Sequence, residues 1–320
     1  MTLTRNKSKE FENISKAYEQ SGGDISNLLA KDIVSIIVSG SEVIGRNTVE
    51  GVNIKAQTKD NFVYMDLSID DNVELKKPIH ICVGYLKDFG EQNLEFKIKI
   101  GKNSKVNFVS HCSFPASKNI YHNMVSNITL EEGAEANYVD VHYHNDSGFV
   151  NLNAKYFINV GKKAKFDNRF SLTQTRVGKM NVLMDMNLDD GAKAYAETKV
   201  KEKMDDKVDI TEIIRLNGEG SSGMAKTYVV GQDESSAEVI NEVYGIGNKS
   251  KGHIECDEII AGEKVKLTTI PKLEVINNTS EITHEASVGK INSEQLETLM
   301  SKGLTEEEAS QMIIDGILSN

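Results

Sequence analysis

The chain has 320 residues, 39% of them apolar, with three cysteines and no tryptophan. Its net charge of −11, from 37 basic and 48 acidic residues, argues against nucleic acid or an anionic membrane as a partner, because both recruit basic surface. The opening MTLTRNKSKEF lacks the apolar core of a signal peptide, and no stretch approaches the length of a membrane span, so a soluble cytoplasmic protein is expected. Cys82, Cys112 and Cys256 are too few and too scattered for a disulfide framework. In a reducing compartment they are either core residues or chemistry.

Residues 1–33 form an N-terminal helical segment, in which NKSKEFENISKAYEQS (residues 6–21) reads as a polar amphipathic helix stopped by Gly22-Gly23. Residues 34–291 read as strands: β-branched runs broken by short Gly, Asn, Asp and Lys turns. The turns are periodic. Gly101, Gly133, Gly161, Gly191, Gly218 and Gly247 recur about every 29 residues. A second set, near Lys118, Ser147, Val177, Asp205, Glu234 and Gly262, falls between them at about the same interval. Either a meander of hairpins or a β-solenoid accounts for a full period with a half-period turn. A meander asks for two-residue turns such as Asn-Gly, and few turns here have that form. The recurrence of Gly-x-x-Ala and Gly-Ala-x-Ala at the full period favours stacked coils, with equivalent residues about 4.8 Å apart and small residues piled inside.

Residues 292–320 form a helical hairpin. Asn292 caps a first helix carrying Leu296, Leu299 and Met300, which stops at Gly303. Thr305 to Glu308 is a capping box for a second helix, expected to bury Met312, Ile313, Ile317 and Leu318. With six acidic residues and one basic from 292 onward, it is no DNA-reading helix-turn-helix. It either caps the open end of the solenoid or presents Met312, Ile313 and Ile317 to a partner.

No P-loop, dinucleotide fingerprint, zinc-protease motif or paired-cysteine motif is present. Taken singly, His284 has a plainer reading as a core or surface histidine, and Cys256 as a small buried hydrophobe. Their spacing raises them, because His284 follows Cys256 by close to one full period of the turns. The expectation is that Cys256 lies one coil below His284-Glu285, nearly in register, so that thiolate, imidazole and carboxylate converge within metal-ligand reach. Such a set suits iron or zinc, and an iron–sulfur cluster would need sulfide and a second chain as well.

The text IPKLEVINNTSEITHEASVGKINSEQLETLMSKGLTEEEASQMIIDGI closely resembles the SufB/SufD scaffold proteins of iron–sulfur cluster assembly. So does GHIECDEIIAGEKVKLTTIPKLE; the resemblance is strongest from Gly252 to Ile317 and extends back to about Gly84. The stretch HCSFPASKNIYHNMVSNITLEEGAEANYV looks like SufB around its Cys-Ser-x-Pro. Residues 1–60 show little likeness.

The resemblance implies a right-handed parallel β-helix flanked by helical parts, and a SufC-like ABC ATPase docked through the C-terminal helices. Cys256-Asp257 matches the SufB cysteine, and His284-Glu285 the SufB His-Glu pair, whereas Ala-Ser-Val-Gly-Lys-Ile leans towards SufD. The chain therefore resembles a minimal, SufB-like single subunit that pairs with itself. It would be a scaffold rather than an enzyme. A transient iron–sulfur cluster would sit on Cys256, His284 and Glu285 at a homodimer interface. Cys112 falls where SufB accepts sulfur, which in the family picture passes along the inside of the β-helix. His142 and His144 stand where SufB has Gln and Trp, and its Arg-Asn pair has no match in IHICVGYL. His111 and His122 flank Cys112 and would lower its pKa if protonated, or are near it only in sequence. Cys82 has no family counterpart and reads as core. The alternative reading is a structural module bracing the ATPase without a cluster. A polysaccharide lyase on a β-helix ranks far lower, given no signal peptide and no tryptophan.

Overall fold

A computed structural model describes residues 5–319; residues 1–4 and Asn320, the outer ends of the two terminal segments, lie outside the described residues. Two helices open the chain, α1 (Arg5–Gln20) and α2 (Ile25–Leu29). Two antiparallel hairpins follow, β1 (Ser35–Ser39) with β2 (Glu42–Asn47), and β3 (Val52–Lys59) with β4 (Phe62–Ile69). The strands then run β5 (Ile79–Gly84), β6 (Phe89–Ile100), β7 (Lys105–Ser113), β8 (Asn119–Leu130), β9 (Glu135–Tyr143), β10 (Val150–Val160) and β11 (Lys165–Leu172). They continue as β12 (Lys179–Leu188), β13 (Lys193–Glu202), β14 (Lys207–Leu216), β15 (Ser222–Gly231), β16 (Ser236–Gly245), β17 (Lys251–Ile260), β18 (Lys266–Val275) and β19 (Glu281–Lys290). Two helices, α3 (Ser293–Met300) and α4 (Glu306–Ser319), end the described chain.

From β5 onward the odd strands share one sheet and the even strands the other. β5 pairs in parallel with β1, and from β6 onward each strand pairs in parallel with the strand two before it in the chain, never with its immediate neighbour. The chain therefore crosses from sheet to sheet and back once per coil. That is the β-solenoid expected from the turn period, and it excludes the meander. The stacking interval is not constant along the solenoid: it is shorter where Leu152 pairs with Met180 than where Val63 pairs with Leu94.

The strand text explains the two faces. In β14, KVDITEIIRL, every second residue from Val208 is buried between the sheets and the others face outward. At one corner of each coil a small residue is fully buried: Ser104, Ala134, Ala164, Ala192, Ser221 and Ser250 stack in succession. The next residue of each following coil donates to the one below, as Lys165 N does to Ala134 O at 2.8 Å and Lys193 N to Ala164 O at 2.9 Å. Coils approach so closely beside this corner that a Cβ on Gly247 would lie 2.0 Å from Gly218 O. Only glycine fits there.

The hairpins close one end of the solenoid, with β2 and β3 as antiparallel edges. α1 lies on the outside of the first coils, where Phe11, Ile14 and Tyr18 pack with Ile37, Ile44 and Cys82. Cys82 is thus a core residue of this outer cluster. Tyr18 OH meets His80 Nδ1 at 2.8 Å, and Ser21 Oγ meets His111 Nδ1 at 2.8 Å, so His111 faces the helix rather than the solenoid interior.

The other end is open. β18 and β19 terminate the two sheets as edge strands, largely exposed, with Ile270 and Val288 among the exposed large hydrophobics. The C-terminal hairpin forms with the caps read from the sequence. Gln295 N donates to Asn292 Oδ1 at 3.1 Å, and Thr305 and Glu308 exchange bonds of 2.8 and 3.2 Å. Its packing differs from the expectation. Ala309 and Ile314 are the buried side chains of α4, Met312 is 52% exposed, and Ile313, Ile317 and Leu318 are only half-buried. Lys201 Nζ on β13 donates to Gln311 Oε1 at 3.1 Å, so α4 lies alongside an earlier coil instead of covering the last one.

Candidate functional site

Inward polar residues are concentrated in two seams between the sheets. The first surrounds Cys112. On β7 this residue pairs with Val83 below and His142 above, and is fully buried. Asp140, two residues before His142, shares its face because strand residues alternate. Tyr156 OH donates to Asp140 Oδ2 at 2.6 Å, and His142 Nε2 lies 3.7 Å from Asp140 Oδ1. The opposite sheet contributes His122, its ring centre 6.0 Å from that of His142. His144 is held by its Nδ1–H donating to Val177 O at 3.1 Å.

The electrostatics of this seam follow from burial. Burial, with the Asp140 charge behind it, pushes the Cys112 thiol well above its ordinary range. Burial likewise keeps His122 far below the usual imidazole value and His144 down to about 3, so both are neutral. A protonated His122 lowering the Cys112 pKa is therefore excluded in this conformation, and His111 points to the other face of the sheet. Burial acts to raise Asp140 too, but the adjacent His142 and the hydroxyls of Tyr156 and Ser110 hold it below its ordinary value.

The second seam ends at Cys256. On β17 this residue faces inward, pairing with Thr227 on β15 and Ala286 on β19. Its Sγ–H lies 3.7 Å from Asn241 Oδ1. Asn241 Nδ2 donates to Glu212 Oε2 at 2.8 Å, and Thr198 and Thr227 hydroxyls donate to Glu212 at 2.6 and 2.9 Å. Burial raises the Glu212 carboxyl and pushes the Cys256 thiol up to about 12. Glu258, on the same face two residues on, is buried without a hydrogen-bond partner and is pushed up to about 7 by burial.

One column of stacked residues joins the seams: Ser110, Asp140, Phe170, Thr198, Thr227, Cys256 and Ala286. On the facing sheet the column reads Tyr156, Met184, Glu212 and Asn241. A single apolar rung, Phe170 with Met184, therefore separates the polar surroundings of Cys112 from those of Cys256.

The expected convergence of Cys256, His284 and Glu285 within one chain does not occur. His284 pairs with Ile254, Glu285 with Glu255, and Cys256 with Ala286, because the coil from β17 to β19 is longer than the spacing from Cys256 to His284. Two residues of slip place the Cα atoms of Cys256 and His284 about 8 Å apart. His284 continues an inward column, now exposed on the last coil, whereas Glu285 faces outward on the side of Asp257, whose carboxyl it helps to raise after burial and Glu255. Among the described residues, the one group of three possible ligands with atoms within 4.8 Å of one another is Cys112, Asp140 and His142. Neither Asp140 nor His142 is among the ligands expected from the sequence, and Cys112 is expected there only as a sulfur acceptor. The signal was present in YVDVHYH, where Asp140, His142 and His144 fall at alternate positions on one strand face.

Met312, Ile313 and Ile317 line a shallow groove with Leu299 and Thr298 of α3. Among the described residues no helix is long and apolar enough to cross a membrane.

A family model described as the SUF system FeS cluster assembly, SufBD core domain, matches residues 87–317. An iron–sulfur cluster assembly SufBD family protein of Pyrococcus horikoshii is 42% identical over 318 residues, covering 99% of this chain and 96% of that one. A second, from Methanocaldococcus jannaschii, is 30% identical over 285 residues, covering 89% and 90%. The iron–sulfur cluster assembly protein SufB of Bacillus subtilis is 44% identical over 75 residues, covering 22% of this chain and 16% of that one.

Proposed function

The chain belongs to the SufBD family of iron–sulfur cluster assembly proteins, and from that premise we propose that it is a cytoplasmic, non-catalytic scaffold on which a nascent cluster is held between two copies of the chain. The observation that carries this reading is the position of Cys256. Its thiol faces inward one coil from the open end, beneath an uncovered edge that ends both sheets. Long unpaired edge strands with exposed Ile270 and Val288 favour association with a second chain. Pairing there brings two copies of Cys256 and His284 towards a common surface, which supplies the ligands that one chain does not assemble. The thiolate is the firm anchor for iron, and imidazole and carboxylate are the more labile ligands suited to release.

Cys256 is buried and protonated in this conformation, so cluster assembly requires it to be uncovered. A SufC-like ABC ATPase docked on Met312, Ile313 and Ile317 is the proposed driver. α3 begins three residues after β19 ends, so movement of the hairpin pulls directly on the strand paired to Cys256. Cys112 is the proposed sulfur acceptor. Cys112 too is buried and protonated in this conformation, so it must first be uncovered and lose its proton; its thiolate then takes the outer sulfur of a donor persulfide, the donor leaves as a thiolate, and the sulfur has to pass Phe170 and Met184 to reach Cys256.

The second reading, a bracing module without a cluster, is favoured by the burial of both thiols and predicts that wild type retains no iron or sulfide, whereas the scaffold retains both; one experiment tests this and the ligands together. Wild type, His284→Ala and Glu285→Ala are reconstituted anaerobically with iron and sulfide, and the melting temperature is measured on the same samples. Lowered iron content at unchanged melting temperature supports ligation. Full iron with a lowered melting temperature assigns the pair to structure alone.

A further inference from the structure

The Cys112 seam supports a second assignment, which competes with sulfur acceptance because both use the same thiolate. Its ligand atoms come from two adjacent coils and are of three kinds: a thiol, a carboxylate and an imidazole, all buried and all within 4.8 Å of one another. Around them the hydrogen bonding is incomplete. Asp140 Oδ1, both ring nitrogens of His142 and both ring nitrogens of His122 have no hydrogen-bond partner. A buried polar atom left so forfeits its hydrogen bonds to water without replacement, and folded proteins tolerate few of them. Here the five belong to three side chains that meet between the two sheets, while Asp140 is anchored through its other oxygen: Asp140 Oδ2 accepts from Tyr156 at 2.6 Å. The His122 ring is tilted against Phe114 with centres 4.8 Å apart, and His142 against Phe170 at 4.9 Å.

We propose that Cys112, Asp140 and His142, with His122 as fourth ligand, form an internal site for a divalent transition-metal ion of the zinc or ferrous class. Ligands on a tetrahedral ion of this kind lie about 3.3–3.8 Å apart; His142 Nε2 and Asp140 Oδ1 already stand 3.7 Å apart, and all three atoms lie within 4.8 Å of one another. Two imidazoles on one such ion have ring centres about 5 Å apart, against 6.0 Å for His122 and His142. Mixed sulfur, nitrogen and oxygen donors discriminate against magnesium and calcium, which take oxygen alone. The thiol gives up its proton to the solvent when the ion binds. Tyr156 orients the carboxylate through its second oxygen, as outer partners of metal ligands do.

The test uses cobalt(II) as a spectroscopic probe on the full chain. Because the site is internal, the protein is refolded anaerobically with cobalt and freed of excess metal. The expected result is one cobalt per chain, with thiolate-to-cobalt charge-transfer absorption and the intense visible bands of a four-coordinate ion. Cys112→Ser should abolish the charge-transfer band, with Cys112→Ala as a second variant if the serine does not fold. Asp140→Asn and His142→Gln should each weaken retention tenfold or more, and Cys256→Ser should leave the spectrum unchanged. A wild type that retains no cobalt, as expected if the seam holds water alone, overturns the proposal. So does a charge-transfer band that survives loss of Cys112 or disappears with Cys256. Cluster reconstitution at Cys256 is read separately, so either assignment can fail without the other.

Discussion

Glu202 offers a direct reading of how the solenoid interior handles charge. Its side chain is fully buried at the end of β13, both carboxylate oxygens lack hydrogen-bond partners, and Oε1 sits 3.2 Å from where a Cβ on Gly231 would be. Burial first, then the charges of Asp206 and Glu258, push this carboxyl from its ordinary 4.5 up to about 9. Between those values the folded chain holds a proton at Glu202 that the unfolded chain has lost, so its contribution falls as pH rises. One proton over two pH units, from pH 5 to pH 7, corresponds to about 3 kcal/mol. Glu202→Gln keeps the shape of the neutral acid and removes this dependence. Urea unfolding followed by circular dichroism at pH 5, 6 and 7 should show the variant gaining on wild type by about 3 kcal/mol across the series. The comparison has to be between the two proteins, because buried neutral histidines tilt each curve the other way below pH 6.5. A gap that stays constant with pH, or that favours wild type as pH rises, refutes the assignment of a protonated buried Glu202.

Gly247→Ala should lower stability by about 3 kcal/mol or more, since its Cβ would meet Gly218 O at 2.0 Å; a thermal shift within that of a surface substitution would contradict the close corner stacking. Ile270→Lys with Val288→Lys, on the exposed edge strands, should turn a dimer into a monomer by light scattering, and a wild type that is already monomeric with and without the ATPase removes the shared-interface account. Deleting residues 304–320 should abolish co-purification with a SufC-like ATPase while β-sheet circular dichroism persists, and continued binding would move the docking surface elsewhere.

The solenoid was legible because its coils are held by chemistry that leaves a mark at every turn: glycine where backbones nearly touch, alanine or serine where a corner is buried. The caps of α3 and α4 were legible because they are local. What was not legible depended on length and direction. The interval between coils varies with corner length, as the Leu152–Met180 and Val63–Leu94 pairs show, and that variation is enough to slide His284 two residues away from Cys256. Glu285 is a different case. Adjacent residues on a strand face opposite ways, so the pair could not both have turned towards Cys256, and parity alone would have said so. The resting place of α4 beside Lys201 depends on a long-range contact with no local signature. Between Ser35 and Ile69 the antiparallel hairpins break the period, which left their role as an end closure hidden.

Anaerobic reconstitution tests whether Cys256 anchors a cluster. Wild type and Cys256→Ser are loaded with ferrous iron and sulfide, desalted, and compared by iron and sulfide content and visible absorption. Wild type should show a sulfide-to-iron charge-transfer spectrum with matching iron and sulfide, and Cys256→Ser should lose both. Equal cluster content in the two proteins, or none in either, would contradict anchoring at Cys256.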